Sequence, residues 1–300
     1  MTDIASTIQQ LKKKKNAVLL VHNYQRIEIQ ELADHLGDSL ELSKIAAKVH
    51  QPIIVFSGVK FMAETAKILS PEKKVLLPRL NAGCPMAEMT DAAGLRQLKA
   101  EHPDALVVTY VNSTAEVKAE TDVCCTSANA VEVVRNVEAD KIIFAPDRNL
   151  ASWVQRFTDK NIIPWDGYCY VHDQFTPQDV LSAREAHPDA MIMIHPECPK
   201  DVADIADEVT STSGMLKTAK ASHIKKIIVG TEEGMLHRLR KENPDKTFLT
   251  LGAAKTCRGM KATRIEDVKD ALEKEQHEII LPEEIITRSR QALERMLQYV

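Results

Sequence analysis

Aromatic side chains are scarce in this chain of 300 residues, since Phe, Trp and Tyr together account for only 4% of it. That scarcity argues against a surface on which nucleic-acid bases stack. An excess of basic charge is also missing, because the formal net charge is −4 and provides no overall positive field for a phosphate polymer. We therefore expect no nucleic-acid partner.

Long apolar segments are absent as well. No apolar run reaches the ~18–20 residues that span a bilayer, and the N-terminus lacks a charged start followed by an apolar core. We therefore expect no membrane partner, no signal peptide and a cytoplasmic location. The six cysteines are then expected as free thiols in a reducing compartment, where they serve as ligands, nucleophiles or small core residues rather than in disulfides.

A threefold repeat organises the apolar residues, which make up 44% of the chain. Three short apolar segments end in a polar residue and begin 88 and then 85 positions apart; they are Ala17–His22, Ala105–Tyr110 and Ala190–His195. A second set lies at Ile53–Phe56, Ile142–Ala145 and Ile227–Gly230. Because these runs are apolar on both faces, they predict parallel strands covered by helices on each side. A separate N-terminal helix is predicted at Thr2–Lys15.

Each repeat also has a segment with Ser or Thr just before a helical pattern. The helices are predicted at Leu40–Val49, Ala128–Val137 and Met215–Ala221. The hydroxyl residues Ser39, Ser127 and Thr212 are expected as their caps. Free N–H groups at a helix start attract anions, so three converging starts would suit a ligand with several carboxylates or a phosphate.

Each repeat ends with a strand and a loop that carries a cysteine. The loops present Cys84, Cys169 and Cys257, which are 85 and then 88 positions apart. Thiols at equivalent positions have four interpretations: small buried hydrophobes, a three-thiolate zinc site, redox partners and ligands of an iron–sulfur cluster. The cysteines without equivalents, Cys124, Cys125 and Cys198, are expected to pack in the core or in a wall of the site.

The repeat predicts an α/β fold of three homologous three-layer αβα domains with small parallel sheets, related by pseudo-threefold symmetry around a central site. The predicted domains are residues 1–88, 89–173 and 174–261, and two helices within 262–300 complete the first. Right-handed crossovers place the carboxyl ends of the strands on one edge, where ligands bind in such sheets. The strand-end residues His22, Tyr110 and His195, with Glu197, are therefore candidate acid–base groups.

Several longer motifs accompany these residues. In the first two repeats they are His22–Gln25, Gly37–Leu40, Gly58–Leu69, Cys84–Ala87, Tyr110–Lys118 and Cys125–Ala130. In the last third they are His195–Cys198, Ser211–Met215, Gly230–Met235 and Met260–Lys261. With these motifs the chain resembles, over nearly its whole length, the quinolinate synthase family, which are iron–sulfur enzymes of de novo NAD biosynthesis.

The resemblance implies a transferase that condenses iminoaspartate with dihydroxyacetone phosphate to quinolinate, phosphate and two waters. It implies a [4Fe-4S] cluster with one open iron that acts as a Lewis acid, and the carried-over ligands are Cys84, Cys169 and Cys257. An aspartate oxidase or dehydrogenase would supply iminoaspartate. The catalytic residues carried over are Tyr24, Glu197, His195, His22 and Tyr110. The substrate-binding residues carried over are His22, Ser39, Tyr110, Asn112, Ser127, His172, His195, Glu197 and Thr212.

Other functions stay open beside this one. Two further enzyme families place three pseudo-equivalent domains around a cluster: the diphosphate reductase of isoprenoid synthesis and the radical enzyme of diphthamide synthesis. Both need electron delivery, and the second also needs S-adenosylmethionine. A non-enzymatic iron–sulfur sensor of a dicarboxylate would bind a partner without turnover, although no basic stripe supports a DNA-binding version.

Overall fold

The computed structural model describes residues 3–299, so Thr2 of the predicted first helix and Val300 at the chain end lie outside the described residues. The first repeat contains α1 Ile4–Lys15, β1 Ala17–His22, α2 Ile27–Gln30, β2 His35–Gly37, α3 Ser39–Ala46, β3 Ile53–Ser57, α4 Lys60–Leu69, β4 Lys74–Leu76 and α5 Pro85–Glu88. The second contains α6 Ala92–Glu101, β5 Leu106–Tyr110, α7 Ala115–Lys118, β6 Val123–Cys125, α8 Ala130–Asn136, β7 Lys141–Ala145, α9 Arg148–Gln155, β8 Asn161–Pro164 and a 3₁₀ turn at His172–Gln174. The third contains α10 Pro177–Ala186, β9 Met191–Ile194, α11 Lys200–Ala203, β10 Glu208–Val209, α12 Thr212–Ala221, β11 Lys226–Gly230, α13 Met235–Glu242, β12 Thr247–Thr250 and α14 Arg258–Ala262. The tail forms α15 Ile265–Lys274 and α16 Glu283–Met296.

Three four-stranded parallel sheets of identical order confirm the predicted fold class. The orders are β2-β1-β3-β4, β6-β5-β7-β8 and β10-β9-β11-β12, and all of their strand pairs are parallel. The edge strands β2, β6 and β10 were not predicted, because two or three residues are too few to show a pattern. Within residues 3–299, no helix is long and apolar enough to cross a membrane.

A repeated aspartate joins two strands at the same place in each sheet. The carboxylates of Asp34, Asp122 and Asp207 each accept a hydrogen bond at 2.8 Å from a backbone N–H 15 residues earlier. The N–H groups belong to the strands β1, β5 and β9. Because each aspartate precedes a short edge strand, its side chain satisfies an N–H that the short strand does not reach. The three repeats therefore share this individual hydrogen bond as well as their sequence pattern.

The apolar core and the tail connect the repeats. One continuous core joins the first and second sheets and includes Leu20, Phe56, Val108 and Phe144, while two further clusters cover the faces of the third sheet. The tail helix α15 lies against α1, whereas α16 contacts α4 of the first repeat and both α7 and β6 of the second. The domain boundaries at residues 88, 173 and 261 stay predictions.

The helix caps differ from those expected. Helix α3 begins at Ser39 and is capped by Asp38, and α12 begins at Thr212 and is capped by Ser211. Ser127 lies three residues before the start of α8. The prediction that Ser39, Ser127 and Thr212 are caps is therefore wrong, because for α3 and α12 the preceding side chain reaches the free N–H groups of the first turn. This arrangement leaves the hydroxyl of Ser39 available to a ligand, and the hydroxyl of Thr212, which accepts from the amide of Asn23 at 3.1 Å, can still donate to one.

Candidate active site

The carboxyl-terminal ends of the three sheets surround one cavity. Every residue predicted for the site lines it, and these are His22, Tyr24, Ser39, Cys84, Tyr110, Asn112, Ser127, Cys169, His172, His195, Glu197, Thr212 and Cys257. The structure therefore brings the predicted set together, while the role of each residue remains a prediction.

The three cysteine loops contact one another around the cavity. The indole N–H of Trp165 in the second loop donates to the carbonyl of Met89 after the first, at 2.8 Å. The N–H of Arg258 in the third loop donates to the hydroxyl of Tyr170 in the second, at 2.6 Å. The third and first loops approach so closely that a Cβ on Gly259 would lie 2.0 Å from the carbonyl oxygen of Gly83. The loops thus form a closed ring.

The thiols of this ring fit a multinuclear cluster better than a single ion. Sulfur ligands of one tetrahedral zinc lie roughly 3.8 Å apart, given a zinc–sulfur distance of about 2.3 Å. Within residues 3–299, Cys169, His172 and Glu197 have possible ligand atoms that all lie within 4.8 Å of one another. Cys84 and Cys257 do not belong to this group. Burial raises the pKa of all three thiols, to about 12 for Cys84. A bound cation is therefore needed to keep them as thiolates.

Glu197 is the centre of the acid–base groups. Its Oε2 lies 2.6 Å from Nδ1 of His172 and 3.7 Å from Nδ1 of His195, and all three side chains are buried. Burial disfavours the charged form of Glu197. The charges of His195 and His172, with hydrogen bonds from His172 and Tyr110, outweigh this effect and hold the pKa of Glu197 at about 2. Burial also lowers the pKa of His195 to about 3. Near neutral pH the site therefore holds an ionised Glu197 beside a neutral His195.

A chain of hydrogen bonds joins Tyr24 to Glu197. The hydroxyl of Tyr24 lies 2.7 Å from Oγ1 of Thr231, and that oxygen lies 2.8 Å from Nε2 of His172. In a consistent assignment, Tyr24 donates to Thr231, Thr231 donates to His172, and Nδ1–H of His172 donates to Glu197. Burial, followed by the charge of Glu197, raises the pKa of Tyr24 well above its ordinary value. Tyr24 therefore keeps its proton at neutral pH.

Other parts of the cavity offer groups that would bind a ligand. Helices α3 and α12 begin at Ser39 and Thr212 on its wall. Two buried oxygens on the wall, Oδ2 of Asp38 and Oδ1 of Asn112, have no hydrogen-bond partner among the described residues. They can accept from an N–H or O–H of a ligand. Burial lowers the pKa of His22 to about 4, so this imidazole is neutral.

Comparison with known proteins decides the family. A model for the family described as Quinolinate synthetase A protein matches residues 6–298. The chain belongs to this family. It is 53% identical to the quinolinate synthase of Methanoregula boonei over 97% of this chain and 96% of that protein. It is 53% identical to the quinolinate synthase of Geobacter sp. strain M21 over 98% and 97%, and 50% identical to quinolinate synthase 1 of Methanosarcina acetivorans over 98% and 97%.

In this member of the quinolinate synthetase A family, the structure adds residues that sequence reasoning missed. Thr231 bridges Tyr24 and His172 although it does not line the cavity, whereas Asp38 and Glu232 do line it. Thr231 follows β11 directly, so its position at a strand end was the signal that could have identified it. The three remaining cysteines pack in the apolar cores as expected, and they are Cys124, Cys125 and Cys198.

Proposed function

We propose that this chain is a quinolinate synthase of NAD biosynthesis. It would condense iminoaspartate with dihydroxyacetone phosphate to give quinolinate, phosphate and two waters. The observation that carries this proposal is that one cavity combines a cysteine from each repeat with the network that joins Tyr24, Thr231, His172 and Glu197. Relatives named quinolinate synthase that match nearly the whole chain support the same activity.

Cys84, Cys169 and Cys257 would hold a [4Fe-4S] cluster. When bound, such a cluster keeps one iron without a protein ligand, and this iron is a Lewis acid toward a substrate hydroxyl. The donor set suits the cluster because the three sulfur atoms come from separate loops that close into a ring, and because they do not all lie within 4.8 Å of one another. The protein's own side chains would bind the substrates and transfer the protons.

Substrate binding follows from the charges of the two substrates, which carry two carboxylates and one phosphate. The hydroxyls of Ser39, Ser127 and Thr212 supply donors for such groups, and the N–H groups at the start of α12 that Ser211 does not cap add to them. The free oxygens of Asp38 and Asn112 suit the imine N–H and the hydroxyl groups of the substrates. The cavity thus presents hydrogen-bond donors for the carboxylates and the phosphate, and acceptors for the imine N–H and the hydroxyl groups.

Proton transfer is assigned to Tyr24 and Glu197. Ring formation with loss of two waters requires that protons leave carbon and reach departing oxygens. Glu197 is ionised and can accept a proton, whereas Tyr24 keeps its proton and can donate it. A proton taken up at Glu197 returns to Tyr24 through His172 and Thr231 once His172 changes tautomer and the hydroxyl of Thr231 turns to donate to Tyr24. His195 and His22 orient the bound carboxylates, and Tyr110 holds Glu197 by a hydrogen bond.

The supply of iminoaspartate belongs to the same proposal. An imine of this kind hydrolyses in water, so it must be made close to where it is used. We assign this task to an aspartate oxidase or dehydrogenase that transfers iminoaspartate transiently, and we place the reaction in the cytoplasm.

The decisive experiment is an anaerobic assay of the reconstituted protein without any reductant. Iminoaspartate is generated from aspartate by an aspartate oxidase, dihydroxyacetone phosphate is added, and quinolinate is measured by chromatography. We expect quinolinate and phosphate in equal amounts. A protein with a full cluster that makes no quinolinate, or that turns over only when electrons are supplied, would contradict the proposal.

A further inference from the structure

The loops that carry the cysteines are attached to their repeats through one shared backbone contact. In each repeat, an N–H just after the third strand donates to a carbonyl two residues before the cysteine. The pairs are Lys60 to Ala82 at 2.8 Å, Arg148 to Gly167 at 2.8 Å and Glu233 to Lys255 at 3.0 Å. The residues that precede these donors therefore occupy equivalent positions, and they are Val59, Asp147 and Glu232.

In the second repeat this position holds a buried carboxylate that contacts the cysteine directly. The side chain of Asp147 is 0% exposed. One of its oxygens accepts from the N–H of Leu150 at 2.7 Å, at the start of α9. The other accepts from the backbone N–H of Cys169 at 3.2 Å. Asp147 thus connects the start of a helix to the backbone of a cluster ligand.

In the third repeat, a glutamate makes the same connection. Glu232 is 0% exposed, and its Oε1 accepts from the N–H of Cys257 at 3.1 Å. Its Oε2 accepts from the N–H of Gly234 at 2.7 Å. The ammonium of Lys261 lies 3.1 Å from Oε1 and donates to the carbonyl of Tyr24 at 2.7 Å. Glu232 therefore connects the loop of Cys257 to the loop of the proton donor.

We propose that Asp147 and Glu232 are positioning residues that fix Cys169 and Cys257 for cluster binding, and that Cys84 has no such support. The aliphatic side chain of Val59 cannot accept a hydrogen bond from the first loop. Buried carboxylates that accept two backbone N–H groups form strong bonds, and removal of one acceptor leaves an N–H unsatisfied. Groups of this kind orient the ligands of metal sites. The inference rests on the proposed cluster, but the contacts exist in the chain without it.

The test uses Asp147→Asn and Glu232→Gln, which keep the side-chain shape but can satisfy only one of the two N–H partners. In the reconstituted protein, we expect each variant to release iron to a chelator roughly tenfold faster than the wild type. In the cluster-free chain, iodoacetamide labelling with peptide mass spectrometry gives a separate rate for each cysteine. Asp147→Asn should accelerate labelling of Cys169 about tenfold with little change at Cys257, and Glu232→Gln should do the reverse.

The matched control is Asp91→Asn, because Asp91 caps α6 and has no cysteine partner. If labelling of Cys169 and Cys257 became equally faster in either variant, the substitution would have loosened the whole site, and the proposal would be overturned. Labelling rates equal to those of the control variant would also overturn it. If Asp147→Asn does not fold, the test uses Glu232→Gln alone. A rise in the labelling rate of Cys257 relative to that of Cys84 then supports the proposal, and an unchanged ratio overturns it. A wild-type chain that takes up no iron would overturn the proposed cofactor, and the labelling pattern would still test the positioning roles.

Discussion

Glu197 is buried and Tyr24 is half-buried, and their surroundings shift their pKa values in opposite directions. Glu197 receives hydrogen bonds and lies beside two imidazoles, so its pKa falls to about 2. Tyr24 loses solvent near that same carboxylate, and both effects raise its pKa. Two titratable groups whose environments separate their pKa values are typical of an acid and base pair. At the scale of single residues, this separation supports the two proposed roles.

The first prediction concerns the hydroxyl of Tyr24. Tyr24→Phe should reduce quinolinate formation by roughly 100-fold or more, because proton transfer by a positioned group contributes at least that factor. The brown cluster chromophore should remain, since no cysteine contact is altered. Anaerobic product assays and absorption spectra measure the two effects. Tyr299→Phe, at a tyrosine outside the cavity, is the control, and near-normal turnover of Tyr24→Phe would remove Tyr24 from the mechanism.

The second prediction concerns Thr231, which links Tyr24 to His172. Thr231→Val keeps the shape of the side chain but removes the hydroxyl, so it leaves a buried imidazole nitrogen and a buried phenol without their partner. We expect kcat to fall roughly tenfold or more, with KM and iron content close to the wild type. Thr231→Ser retains the hydroxyl and should retain most of the activity. Equal kcat values for the Val and Ser variants would show that the link is not used.

The cysteine loops are the elements on which the site depends, and each is a short segment whose only regular structure is about one turn of helix after the cysteine. The contacts among the three loops therefore determine where the sulfur atoms lie. The tightest of these contacts is between Gly259 and the carbonyl of Gly83, and it has no room for a side chain. A glycine is needed here for close approach of two backbones.

The third prediction uses this contact. Gly259→Ala would place a Cβ 2.0 Å from the carbonyl oxygen of Gly83, so the third loop must move away from the first. We expect iron release to a chelator to become roughly tenfold faster than in the wild type. Gly83→Ala is the matched control, because its Cβ meets only the flexible end of Glu88, at 3.1 Å. Equal iron retention in the two variants would show that the ring can relax without loss of the cluster.

At the scale of the whole molecule, the repeat made most of the fold predictable. Strands that are apolar on both faces leave a clear signal, and their constant offsets relate the three sheets and place the cysteines at one edge. The bridging role of Thr231 could not be predicted, because Tyr24 and His172 belong to the other two repeats and meet Thr231 only where the repeats pack. Thr231 and His172, for example, are 59 residues apart in sequence. The caps of α3 and α12 were misplaced by one residue because neighbouring Asp, Ser and Thr side chains can all serve as caps, and the cap of α8 was misplaced by two.

The tail is joined to the first repeat by Glu275, which follows α15 and pairs with Lys15 of α1 at 2.7 Å and with Lys74 of β4 at 2.5 Å. These two partners, Lys15 first, hold the pKa of the Glu275 carboxyl at about 2, below its ordinary value of 4.5. A lowered pKa means that the carboxylate stabilises the fold at neutral pH. That contribution declines as the pH falls from about 4.5 toward 2. The side chain is 31% exposed, so water and salt screen the pairs, and we expect no more than ~1 kcal/mol.

The fourth prediction is that Glu275→Gln lowers the free energy of unfolding at neutral pH by up to ~1 kcal/mol, and that this difference shrinks once the pH falls below about 4.5. Urea unfolding of both proteins across this pH range, at low and high salt, measures it. High salt should reduce the difference, because both ion pairs are partly exposed. Glu266→Gln, at an exposed position in the first turn of α15, is the control. A difference that grows with acidity would mean that the two lysines do not hold the tail through the charge of Glu275.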